Sequence, residues 1–159
     1  MIKTNVTRLL TASKIEFETK EYEVDESDLS GVHAAAAMGV DCADVYKTLV
    51  LHGERHGYFV CVIPVADEVD LKKAAVAEGE KKCELIPMKD LLAVTGYIRG
   101  GCSPVGMKKK FPTFIDVKCL MREKIAVSAG QRGVQIVLAP AALINFVGAK
   151  SADITRDAQ

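Results

Sequence analysis

The sequence predicts an α+β fold: a single compact domain over residues 1–159, with a mixed, mostly antiparallel and partly barrel-like sheet of six to seven strands and short flanking helices. Three observations predict it. Short β-favouring runs recur along the chain, several joined by tight glycine turns of the kind that make hairpins. Short amphipathic or alanine-rich segments interrupt them, most with a capping residue before and a glycine after. The composition, 49% hydrophobic over 159 residues, supports one core and shows no shift that would mark a second domain. Strands joined in part by hairpins exclude a doubly wound parallel architecture.

Each element follows from local pattern. Behind Thr4, a candidate N-cap, Val6, Leu9 and Leu10 recur at helical spacing with Ile2, so the first dozen residues read as an amphipathic helix packed on the sheet. Residues 15–22 (IEFETKEY) alternate enough for a strand, which the acidic Glu23, Asp25, Glu26 and Asp28 end. Ser30 caps a short helix through Ala34 and Ala37 that Gly39 closes. Residues 45–51 (VYKTLVL) and 58–63 (YFVCVI) form the core hairpin, and the second is apolar on both faces, as a central strand is. Asp70 caps a helix over 71–78 stopped by Gly79; residues 83–86 are a short strand, and 88–94, after Pro87, a short helix. Strands over 113–117, 124–128 and 134–138 follow, the last two joined by the glycine turn 129–133. Pro140 starts the last helix, with Leu143, Phe146 and Val147 on one side and Gly148 closing it.

Composition narrows the function. Lysine plus arginine equals aspartate plus glutamate at 21 each, so no global field draws the chain to a polyanion, and any such partner is held by a local patch. The N-terminus lacks the apolar core of a signal peptide, and no apolar run approaches a membrane span, which predicts a soluble, cytoplasmic protein. Cys42, Cys61, Cys83, Cys102 and Cys119 are odd in number and include no CxxC; with only His33, His52 and His56 beside them they build no metal site and fit reduced thiols. No metal and no cofactor is expected.

Residues 95–116, TGYIRGGCSPVGMKKKFPTFID, stand apart. Gly96, Gly100, Gly101 and Gly106 let a ligand approach the main chain, Pro104 and Pro112 restrict the path, and Lys108, Lys109 and Lys110 follow in a row. Composition alone fits a binding loop and a surface excursion equally, since the glycines match no Walker or dinucleotide fingerprint. Strand alternation sets Lys47 among Val45, Leu49 and Leu51 on one face. Most lysines so placed snorkel to water; one aimed into a pocket would be a strong donor to a carbonyl or phosphate.

Lys47-Thr48-Leu49 at a strand start, Asp70-Leu71-Lys72-Lys73-Ala74, Thr95-Gly96-Tyr97, the run from Gly100 through Cys102, Ser103 and Pro104 to Gly106, and Val127-Ser128-Ala129-Gly130-Gln131-Arg132-Gly133 occur here in one order. Together they resemble the YbaK/EbsC family of Cys-tRNA(Pro) deacylases, relatives of the editing domain inserted in prolyl-tRNA synthetases. The resemblance spans nearly the whole chain and implies a trans-editing enzyme that removes cysteine misattached to proline tRNA, and also from Cys-tRNA(Cys).

Position by position, the resemblance makes Lys47 the essential lysine and Gly101 its catalytic companion in a GxxxP loop whose backbone amides face the ester. It places Tyr22, Thr48, Gly100, Cys102, Ser103, Pro104, Ser128 and Gly130 at the substrate. Lys108, Lys109 and Lys110 would contact the tRNA backbone, and a prolyl- or cysteinyl-tRNA synthetase would be the partner that supplies tRNA identity. Many relatives carry an acidic residue where this chain has Gln135 and an aromatic one where it has Ser30. Deacylation of another small amino acid, such as alanine, therefore stays open, as does a non-catalytic module that binds tRNA ends. With no Ser-His-Asp set in view, the expected nucleophile is the substrate's own thiol; Cys102 is the rival.

Overall fold

The central feature is a long hairpin whose second strand is buried on both faces. The computed structural model describes residues 2–157. In chain order it forms α1 (Asn5–Ala12), β1 (Glu18–Glu21), α2 (Gly31–Met38), β2 (Tyr46–Gly53), β3 (Gly57–Pro64), α3 (Leu71–Glu78), β4 (Cys83–Leu85), α4 (Leu91–Thr95), β5 (Thr113–Asp116), β6 (Ile125–Ser128), β7 (Val134–Leu138), α5 (Pro140–Val147) and β8 (Lys150–Ala152). Single 3-10 turns at Cys42–Asp44, Met88–Asp90 and Val117–Met121 connect some of them.

The strands lie in two sheets, one of order β1-β7-β6 and one of order β4-β2-β3-β5-β8. The first is antiparallel throughout. In the second, β4-β2 and β2-β3 are antiparallel while β3-β5 and β5-β8 are parallel. A parallel bridge from Val45 to Ala126 links the sheets. The α+β class and mixed pairing are those expected, with the strands divided between two sheets rather than gathered in one. β8 and the 3-10 turns at Cys42–Asp44 and Val117–Met121 escaped the sequence reading, and of the strand predicted over 15–22 only Glu18–Glu21 forms, residues 15–17 and 22 lying outside it. Three-residue elements such as β8 carry too little alternation to stand out.

β3 shows why its sequence is apolar on both faces. Val60 and Val62 point into one core with Val6, Leu10, Tyr46, Val50, Ile125, Val127, Ile136 and Leu143. Phe59, Cys61 and Ile63 point into the other with Leu51, Val69, Phe114 and Ile154. Period-two alternation delivers one side chain to each core in turn.

The expected caps form. Thr4 and Thr7 make a reciprocal capping box, and the Thr4 hydroxyl also donates to Ala129 O at 2.7 Å, tying α1 to the turn after β6. Ser30 Oγ accepts from His33 N, and Asp70 accepts from Lys72 N and Lys73 N. Gly31 opens α2 so close to β3 that a Cβ there would meet Val65 Cγ1 at 2.2 Å. That contact sets α2 beside the start of β2, where a cavity opens.

Candidate active site

The cavity, of about 340 Å³, lies where the start of β2, the N-terminal end of α2, the strands β6 and β7 and residues 99–102 converge. That is at the lower end of small-molecule sites, which run to roughly 300–1,000 Å³. Of the residues expected at the site, Tyr22, Lys47, Thr48, Gly100, Cys102 and Ser128 line it, as do Ser30 and Gln135. Gly101, Ser103, Pro104 and Gly130 do not.

Lys47 pairs with Ile63 in the hairpin and is half-buried. Among the described residues its ammonium has no carboxylate within ion-pair distance. Burial pulls its pKa below the ordinary lysine value, against the opposing pull of Glu68 and Asp67. Those two carboxylates are engaged elsewhere, Glu68 by Arg156 at 2.9 Å and Asp67 by Lys118 at 2.7 Å. A desolvated cation therefore borders the cavity with its donors free.

Polar groups on the cavity residues are also unspent. Thr48 Oγ1 and Gln135 Oε1 are buried without a hydrogen-bond partner. Buried polar atoms left unpaired cost about 1–3 kcal/mol each, so they mark places where a ligand supplies the missing partner. Gln135 is the cross-strand neighbour of Ser128, whose Oγ accepts from Gly130 N at 3.1 Å and keeps its hydroxyl hydrogen to give. Gly130 thus acts behind Ser128 rather than at the cavity wall.

Residues 96–112 contain no helix or strand, yet much of the segment is packed. Ser103, Pro104 and Val105 are buried, Ser103 Oγ accepts from Val105 N, and the Tyr97 hydroxyl donates to Val105 O. Gly101, expected as a catalytic position, does not line the cavity, and its amide donates to Ile98 O at 3.0 Å. A Cβ there would stand 3.1 Å from Gln131 Cα and 3.2 Å from Arg132 N, so the residue is glycine because the two glycine loops pack backbone to backbone. The amides of Gly100 and Cys102 have no acceptor among the described residues.

Burial pushes the Cys102 thiol up to about 11, against a lowering hydrogen bond from Thr95, so it stays protonated at neutral pH. No histidine lines the cavity among the described residues. Nor, among those residues, is any group of three or more His, Cys, Asp or Glu placed to hold a metal ion.

The lysine run lies apart. Lys109 and Lys110 line a separate groove of about 220 Å³ with Phe111 and Phe146, and this groove shares no lining residue with the cavity. Besides Lys47, two basic residues that were not among the expected site residues lie at the cavity. Arg99 lines it, and Arg132, whose Nε donates to Arg99 O at 2.8 Å, lines a small adjoining groove with Tyr22, Ser30 and Gly100. Arg99 sits beside Gly100 and Arg132 in the β6-β7 turn, and their adjacency to glycines was the available signal.

Known proteins resemble this chain. A family model described as the aminoacyl-tRNA editing domain matches residues 29–146. A relative from Enterococcus faecalis, EbsC, provisionally named a Cys-tRNA(Pro)/Cys-tRNA(Cys) deacylase, is 45% identical over 96% of this chain and 93% of its own. A proline–tRNA ligase of Shouchella clausii is 29% identical over 65% of this chain, matching 18% of the ligase. Among solved structures, one described provisionally as a trans-editing enzyme for prolyl-tRNA synthetase superposes with TM-score 0.81 at 22% identity, covering 98% of this chain and all of that one. A hypothetical protein superposes with TM-score 0.87 at 22% identity over 96% of this chain and all of its own. These likenesses show the shared fold.

Proposed function

The chain belongs to the aminoacyl-tRNA editing domain family, and on that premise we propose that it is a trans-editing deacylase that removes cysteine from mischarged Cys-tRNA(Pro), with Cys-tRNA(Cys) a further substrate. The observation that carries the reading is the half-buried Lys47, unpaired among the described residues, bordering a cavity to which those residues bring no ionised nucleophile or histidine base.

Such a site works by positioning and electrostatics. The cavity takes the aminoacylated terminal adenosine, whose hydroxyls and α-amino group meet Thr48, Ser128 and Gln135. Lys47 and the free amides of Gly100 and Cys102 donate to the ester oxygens as negative charge develops there. The cysteinyl thiol attacks its own ester carbonyl: a C–S bond forms, the C–O bond to the ribose breaks, and the thiol proton passes to the departing ribose oxygen. The products are a four-membered cyclic thioester and the free tRNA end, and water then opens the thioester to cysteine. Intramolecular attack has an entropic advantage that an external water lacks.

Lys108, Lys109 and Lys110 remain candidates for contact with more distant parts of the tRNA. A prolyl- or cysteinyl-tRNA synthetase supplies tRNA identity, and the reaction takes place in the cytoplasm. No helix among the described residues is long and apolar enough to cross a membrane.

The test compares tRNA(Pro) charged with cysteine, serine and alanine. Fast release of cysteine with seryl and alanyl esters left intact supports the thiol mechanism. Equal cleavage of serine would contradict it, and preference for alanine would move the specificity while keeping the site.

A further inference from the structure

The cavity has a rim as well as a floor, and the rim is basic. Arg99 lines the cavity and is exposed, and Arg132 is docked beside it through the hydrogen bond from its Nε to Arg99 O. That bond uses one of the five N–H donors of Arg132 and leaves its terminal nitrogens free. Among the described residues neither guanidinium has a carboxylate within ion-pair distance. Asp25 and Asp28 line the groove that Arg132 borders, but they accept locally, from Ser27 and from Ser30 N. The cavity lining also includes an exposed apolar side chain, Met88, which is 57% exposed, and Leu92, one helical turn on, is 54% exposed.

We propose that Arg99 and Arg132 hold the phosphates of the unpaired 3′ strand that leads into the cavity, with Met88 and Leu92 as an apolar shelf for the bases preceding the terminal adenosine. The proposal rests on the editing reading for the identity of the strand. Its own argument is complementarity. A single-stranded RNA end presents regularly spaced anions and apolar base faces, and paired guanidinium groups beside exposed apolar side chains offer the matching surface. The chain carries no net charge, so phosphate contacts must come from such a local pair. Lys109 and Lys110, lining a groove with no residue in common with the cavity, are not placed for the nucleotides next to the ester.

The experiment measures binding of an uncharged tRNA(Pro) acceptor minihelix ending in unpaired CCA, beside the same duplex made blunt, as a function of salt. The variants are Arg99→Gln, Arg99→Gln with Arg132→Gln, and Lys108→Gln/Lys109→Gln/Lys110→Gln, each checked for an unchanged thermal unfolding midpoint. The arginine double variant should bind the overhang about tenfold more weakly at 0.1 M salt. Its log K against log salt slope should fall by about 1.4, at roughly 0.7 per single-strand phosphate. The lysine variant should bind the overhang within about twofold of wild type.

Arg132 also fixes Arg99 O, so Arg99→Gln alone gives the second reading, with a slope reduced by about 0.7. Wild-type binding by either arginine variant, or transfer of the loss to the lysine variant, overturns the proposal. Cleavage of cysteinyl-adenosine, which has no phosphate, is followed separately in the wild type. Its absence would sink the deacylase reading, while the binding comparison still decides the role of the arginines.

Discussion

Lys47 shows what one residue's surroundings do to its chemistry. Alternation in β2 was enough to place it on an apolar face, but the cavity it borders is completed by α2 and Val65, which no local pattern brings together. The consequence is a pH profile. Deacylation rises with pH as the substrate thiol ionises, near the ordinary cysteine value of about 8.5. It falls again as Lys47 loses its proton, and since burial disfavours the ammonium this limb lies below the ordinary lysine value of 10.5. Single-turnover rates across pH check this, and a rate still climbing past 10.5 would contradict it. Cys102→Ala should retain deacylation within about threefold, because a thiol pushed up to about 11 is not a nucleophile at neutral pH; loss of turnover in that variant would restore the enzymic cysteine as a rival.

At the scale of elements, caps and glycines were legible because their signals are local. Asp70 and Gly79 bound α3, and Pro140 and Gly148 bound α5, as their residue types dictate. The β2-β3 hairpin was legible from its turn, but long-range pairing was not: the parallel contacts of β3 with β5 and of β5 with β8 join segments far apart in sequence. Nor was the reason for Gly101, which becomes visible only when residues 129–133 are seen against it. Gly101→Ala should destabilise the protein by about 1–3 kcal/mol through backbone crowding and lower turnover by displacing Gly100 and Cys102. Denaturant unfolding with parallel kinetics checks both, and full stability with full activity would show that the loops do not hold each other.

Across the whole molecule, the site is where two sheets, a helix and two loops meet, so its residue set could be named from motifs and its geometry could not. Gln135 and the two rim arginines gain their meaning only from that assembly. The same long-range packing sets the acid response. Glu80 is buried, which alone would raise its pKa, but the amides of His56 and Arg55 outweigh this and hold it below the ordinary 4.5. A depressed carboxylate stabilises the fold above its unfolded value and loses that contribution as pH falls through its folded value. Stability should therefore drop below about pH 4.5, and less steeply in Glu80→Gln, as thermal unfolding against pH would show.

The central claim is that a positioned lysine, with no enzymic nucleophile, lets a cysteinyl ester cleave itself. Single-turnover release of cysteine from Cys-tRNA(Pro) by the wild type and by Lys47→Ala tests it most directly. The account predicts rapid release by the wild type and a loss of about 10²–10³-fold in the variant with its fold intact. Release by the variant at the wild-type rate would contradict it.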